Sequence, residues 1–312
     1  MNVTIARTAR LLAVAAILGI LIWRLGAQPF LDGLARVSVP AVLAAVLLGA
    51  VATVCCAWRW RAVAGGLGLP LSLPTATADY YRSTFLNVTL PFGVVGDVHR
   101  AVRHGRAGGD LSRGVRGVAW ERTSGQAVQI VATVALLLVL PSPVRDWMPA
   151  VAIASLVLIG VLALLWWRGT APQRVFTTIR EDLRSGVFAR SSLPVVIIAS
   201  LIVVLCHATT FVVAARAAGV TVSTKDLVPV ALLVLAAMAL PLSLAGWGPR
   251  EGAAAWAFGA AGLTAAAGLT TAVVYGVLVL VASLPGAVLH FFSWRQNLTV
   301  EPSQNPSEVA HG

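Results

Sequence analysis

Long apolar runs alternate with short arginine-bearing segments along most of the chain. A hydrocarbon core of about 30 Å takes roughly 20 helical residues to cross. Runs near 9–25, 38–58, 117–140, 148–167, 193–215 and 270–292 reach about that length. A further apolar stretch, 227–267, is cut at 241–252, which predicts two short or re-entrant helices meeting at the cut. The pattern predicts an all-α, polytopic transmembrane helical bundle with about six full spans plus re-entrant or broken helices, or eight spans.

Two interruptions stand out. One runs from Leu90 through Pro91, Gly93, Gly96 and Asp97 to Arg100. The other runs from Leu240 through Pro241, Gly246, Gly248 and Pro249 to Arg250 and Glu251. Both place Pro and Gly, then an acid with an arginine, beside apolar sequence. The named prolines and glycines are the expected hinges. Broken backbone at membrane depth is tolerated only where protein or a wet cavity satisfies it. Interrupted segments in corresponding halves point to a transporter-like binding site. Residues 79–96 mix Tyr80, Tyr81, Phe85 and Phe92 with Arg82, Asn87 and Thr89, the pattern of a re-entrant or deeply interfacial segment. Val175, Ile179 and Leu183 recur every four residues, which predicts a surface helix on the inner leaflet or a solvated connector over 172–188. The polar tail, 296–312, is expected to be a disordered cytoplasmic segment following a membrane domain over 1–295.

Composition narrows the class. Hydrophobic residues make up 58% of the 312 and charged residues 11%, well under the roughly 25% of a soluble domain. The net charge is +11, and 22 of the 23 basic residues are arginine. Because the arginines sit between apolar runs, lipid headgroups and topology explain them better than nucleic acid, and no nucleic-acid partner is expected. With the N-terminus inside, sixteen basic residues fall on cytoplasmic segments and five outside, with Arg122 and Arg250 near or within membrane segments. That asymmetry predicts an N-in, C-in, multi-pass protein of the cell (inner or plasma) membrane. Three cysteines build no disulfide framework, and five scattered histidines give no metal-ligand spacing, so no metal and no cofactor are expected.

The charged residues inside apolar sequence are the candidates for chemistry, because such groups are costly and mark paths or sites. Glu121 and Arg122 are neighbours on a helix and so face different partners. Asp97 and Arg100, three apart, share a helical face. Pro249 suits a first helical turn, and free N–H groups beside Arg250 would make an anion site. The alternatives are structural ion pairs and, for Glu121 and Arg122, snorkelling at the interface. Each candidate acid stands beside an arginine, which favours the ionised form and disfavours a general acid. No nucleophile–base arrangement or nucleotide loop is visible, so no enzyme is expected.

Three motifs carry a resemblance. They are Arg82-Ser-x-Phe85-x-Asn87 with Leu90-Pro91, Gly96-Asp97 and Arg100; Glu121-Arg122; and Gly-Trp-Gly-Pro-Arg250-Glu251-Gly252. Together they resemble the transmembrane region of the lysylphosphatidylglycerol synthase family, also called the flippase-like domain, from the first span to about Arg295. The resemblance implies an inner-membrane protein whose larger relatives move aminoacylated phosphatidylglycerol between leaflets, while other relatives are linked to glycolipid or hopanoid export. It makes Arg82, Asn87, Asp97, Arg100, Glu121, Arg122, Arg250 and Glu251 candidates for binding an anionic, aminoacylated or glycosylated lipid headgroup. Two departures are visible. The soluble aminoacyl-transfer domain of the best-known members is not in this sequence, and Trp247 and Pro249 stand where relatives more often carry a Gly-Leu-Gly-type run. The expected activity is lipid translocation, with a membrane phospholipid or glycolipid as partner. The rival is a non-transporting partner or regulator of a lipid or sugar transferase.

Overall fold

The structure, a computed structural model, describes residues 26–90, 93–142, 144–150, 173–238 and 248–299, together with Gly19, Ile22, Trp23 and Ile153. Nearly all of the expected span at 9–25, most of that at 148–167, the hinges Pro91, Pro241 and Gly246, and residues 300–312 of the tail lie outside the described residues.

Among the described residues there are helices and no strands. They are α1 (Gln28–Ala35), α2 (Val39–Gly66), α3 (Leu73–Thr89), α4 (Val95–Ala107), α5 (Leu111–Val139), α6 (Gln173–Asp182), α7 (Leu193–Ala217), α8 (Thr224–Met238), α9 (Pro249–Ala260) and α10 (Ala265–Thr299). A 3₁₀ turn covers Arg145–Trp147, and a π turn, Leu183–Val187, continues α6. Among the described residues, four helices are long and apolar enough to cross a membrane: α2, α5, α7 and the Ala265–Phe291 part of α10.

Local chemistry explains where the helices depart from the apolar runs. α5 starts at Leu111 rather than 117, because Asp110 accepts a hydrogen bond from the Arg113 N–H at 2.9 Å and caps it. α10 starts five residues earlier than its apolar run, with Thr264 Oγ1 accepting from the Ala267 N–H at 3.1 Å. α2 runs on past residue 58 to Gly66, carrying Arg59 into the protein. The 79–96 segment resolves into the end of α3 and the start of α4, with Gly93 at φ 62° between them. That conformation favours glycine. Gly96, by contrast, is helical, and a Cβ there would strike the Ser83 carbonyl, so it lets α3 and α4 close on each other.

α10 lies at the centre, packed against α1, α2, α3, α7 and α9. Its interfaces use small residues, as membrane bundles do, where packing rather than water expulsion drives association. Gly49 meets Ala282, and Gly286 meets the Tyr81 carbonyl. One apolar cluster joins Phe211, Phe258, Tyr275 and many alanines from α2 and α7–α10. A second, around Trp60, Tyr80, Ala101 and Val118, joins α2, α3, α4 and α5. α6 does not float as a free surface helix. Its last residue, Asp182, is buried and accepts from Arg116 Nε at 2.8 Å and Trp120 Nε1 at 2.9 Å, which docks it onto α5.

Candidate functional site

The second apolar cluster surrounds a set of buried charges. α5 delivers Glu121 and Arg122 about 100° apart around its axis, so the two leave it in different directions. Glu121 is fully buried. Its Oε1 accepts from Arg59 Nη2 at 2.6 Å, Arg59 Nε at 3.0 Å and the Tyr80 hydroxyl at 3.3 Å. Its Oε2 accepts from Arg100 Nη2 at 2.6 Å. One carboxylate therefore ties α2, α3 and α4 to α5.

Arg100 is fully buried and also donates from Nε to Asp97 Oδ1 at 3.0 Å. Its guanidinium lies 4.4 Å from the Tyr80 ring centre and 4.8 Å from that of Trp60, so π faces meet the part that carboxylates do not. Asp97 Oδ1 further accepts from the Ser83 hydroxyl at 3.1 Å, while Oδ2 accepts from Asn87 Nδ2 at 3.1 Å and pairs with Arg122 Nη2 at 2.6 Å. Burial pushes the Asp97 carboxyl up, but Arg122 and Arg100 outweigh it and hold it below the usual carboxylate range. Asn87 also accepts from the Gly96 N–H at 2.8 Å, closing the turn between α3 and α4.

Arg122 differs from the rest: 43% of its side chain is exposed. It lines a half-open chamber of about 290 Å3 walled by α2, α3, α5, α7, α8 and α10. Gln126, Thr84 and His207 also face this chamber. Tyr275 closes one side, its hydroxyl 3.1 Å from His207 Nδ1. The arrangement is a partly polar pocket inside an apolar bundle with two arginines on its wall: Arg59, buried and taken up by Glu121 and Ser200, and Arg122, whose side chain is the more exposed.

The other expected site residues lie elsewhere. Arg82 donates to Asp79 Oδ1 at 2.7 Å and to the Leu289 carbonyl at 3.2 Å, and Asp79 also takes Arg103 at 2.5 Å. That group pins α3 to α4 and α10. Gly248, at φ 107°, and Pro249 start α9. The anion at this helix N-terminus is the chain's own. Glu251 Oε2 accepts from the Gly248 N–H at 2.6 Å, and Oε1 accepts from Arg250 at 2.5 and 2.8 Å. Arg250 is not among the described residues lining the chamber; its guanidinium lies 5.8 Å from the centre of the Tyr275 ring, which does line it. Asp97 and Arg122 thus converge, while Arg250 stands one residue layer behind.

Sequence reasoning passed over Arg59, Tyr80 and Gln126. The signal for Arg59 was helical phase: it follows Cys55 by four residues and Ala52 by seven, both buried. Arg61, two residues on, is exposed. With Arg59, Arg82 and Arg100 buried, the charge asymmetry behind the expected orientation falls from sixteen to thirteen against five.

The profile of the lysylphosphatidylglycerol synthase TM region matches residues 7–286. The chain belongs to that family. The match spans the Arg82–Arg100 motif, Glu121-Arg122 and Arg250-Glu251, so both charge clusters lie within the family's membrane region. No curated protein matches the chain. Family membership and the four long apolar helices make it a multi-pass membrane protein.

Proposed function

We propose that this member of the family is a lipid translocase of the cell membrane, oriented N-in and C-in, that holds an anionic headgroup in the chamber while the acyl chains stay in lipid. One observation carries the reading. Arg122 turns a half-exposed side chain into a half-open, partly polar chamber, and the charged groups behind it fix its position. An arginine is the usual partner of a phosphate because its fork matches phosphate oxygens. Asp97 and Asn87 orient Arg122, and the bend at Gly93 gives the α3–α4 pair a place to move. Arg250 and Glu251 brace the chamber wall through Tyr275. No covalent step belongs to this reading, since Asp97, Glu121 and Glu251 are each held by arginine.

The test is movement of headgroup-labelled phospholipid in liposomes holding the purified protein. Wild type is expected to equilibrate the label across the bilayer faster than empty liposomes. Arg122→Ala is expected to slow this at least tenfold, and Arg122→Lys to keep part of the rate. Equal rates with and without protein, or full speed in Arg122→Ala, would refute the proposal. A transferase that co-purifies with an inactive chain would favour the partner reading instead.

A further inference from the structure

The chamber's charge inventory is lopsided. Arg59, Arg100 and Arg122 face only Asp97 and Glu121, which leaves one net positive charge in the connected group. Both acids are already saturated: the two Glu121 oxygens and the two Asp97 oxygens each accept at least one charged or polar donor. No carboxylate lines the chamber among the described residues. Pro91-Phe92 and 239–247, which adjoin its described rim in sequence, contain no Asp or Glu. The surplus is felt at Arg122 itself, whose Nε is buried and has no acceptor.

What else faces the chamber is neutral. Gln126 stands one helical turn beyond Arg122 on α5, and Thr84 and His207 stand across from it on α3 and α7. With Tyr275 on His207 Nδ1, Nε2 is the ring nitrogen left for a ligand. Amide, hydroxyl and imidazole groups both donate and accept, so they suit hydroxyl groups. A volume of about 290 Å3 holds roughly ten waters' worth of material, room for a phosphate and a small polyol.

We infer that the chamber selects a phosphodiester headgroup carrying hydroxyls and no amine, such as a glycerol- or inositol-type anionic phospholipid, and rejects aminoacylated and other amine-bearing headgroups. The inference rests on the headgroup-binding part of the proposed function. The logic is charge balance. One phosphodiester neutralises the group. A lysyl ester adds two ammonium groups to one phosphate, which raises the positive charge and brings cations to a wall with no free carboxylate. A charge buried there without a partner is costly. Specificity here comes from a missing acid as much as from the arginine present.

Native mass spectrometry of the full chain in detergent, with equimolar phosphatidylglycerol, phosphatidylinositol, phosphatidylethanolamine and lysylphosphatidylglycerol, tests this. Phosphatidylglycerol and phosphatidylinositol are expected to be retained at least tenfold over the two amine-bearing lipids. Arg122→Gln should erase that preference. Gln126→Glu supplies the absent carboxylate beside Arg122 and should shift retention toward lysylphosphatidylglycerol; thermal melting of each variant shows that it is folded. Equal or stronger retention of lysylphosphatidylglycerol by wild type would overturn the inference. So would a preference unchanged by both variants. Soluble sn-glycerol 3-phosphate retained in preference to the lipids would overturn the lipid assignment. Because the readout is binding, selectivity without movement in liposomes sinks only translocation, and movement of lysylphosphatidylglycerol sinks only selectivity.

Discussion

Glu121→Gln is the sharpest test of how the buried charges hold the bundle. The substitution keeps shape and nearly all of the volume while removing one negative charge. In the native protein the carboxylate meets Arg59 and Arg100 at 2.6 Å each, and neither arginine is more than 6% exposed. A glutamine in its place would leave both guanidiniums facing a neutral amide, and the connected group would move from one surplus positive charge to two. Removing one partner of a buried ion pair typically costs about 3–5 kcal/mol. Ser200 still accepts from Arg59 Nη1 at 2.8 Å and Asp97 from Arg100, so the lower half of that range applies. A loss of about 3 kcal/mol lowers the melting temperature by roughly 4–6 °C in a chain of this size. The assay is thermal unfolding of the purified protein in detergent, followed by intrinsic tryptophan fluorescence. Adding Arg59→Gln to Glu121→Gln restores the original surplus and should recover part of the loss, a coupling of about 1–3 kcal/mol. A single variant that melts within a degree of wild type, or a double variant that only adds the two losses, would refute the claim that this carboxylate is the clasp.

Two other perturbations probe the same architecture. Gly125→Ala would place a Cβ 2.6 Å from the Arg59 guanidinium carbon, whose tip is fixed by Glu121 and Ser200; a loss of about 1–3 kcal/mol is expected in the same melting assay, and none would mean the tip is free to move. Asp182→Ala should release the α6 end from Arg116 and Trp120 and expose the 173–192 region to limited proteolysis several-fold faster, with little effect on the melting of the rest; unchanged cleavage would show that α6 is held by something else.

Much of the fold was legible because hydrophobic length is a strong signal. The runs at 38–58, 117–140, 193–215 and 270–292 each correspond to a helix long enough to span. Their ends were less legible, since caps such as Asp110 and Thr264 are polar residues that an apolar run leaves out. The cut in 227–267 correctly implied two helices, α8 and α9. At the site, the motif residues were visible as charges out of place, but their partners were not. Arg59 sits 62 positions from Glu121 and Ser200 another 79 beyond that, and no local pattern links them. The sequence placed Arg250 beside an anion site; only the geometry reveals that the anion is Glu251, one residue away.

The adjacency of Glu121 and Arg122 divides labour along one helix. A 100° step separates a residue that locks four helices from one that faces the chamber. Had they been three or four apart, they would have paired with each other and cancelled. As neighbours they cannot, so each takes a distant partner: Glu121 takes Arg59 and Arg100, and Arg122 takes Asp97. Asp97 in turn shares Arg100 with Glu121, which couples the clasp to the chamber through a single guanidinium. Any rearrangement that frees Arg122 for a headgroup draws on Asp97, and Asp97 is held at the start of α4 by Ser83 and Asn87 of α3. Under the proposed function, an anion that draws Arg122 from Asp97 would therefore bear on the contact between α3 and α4.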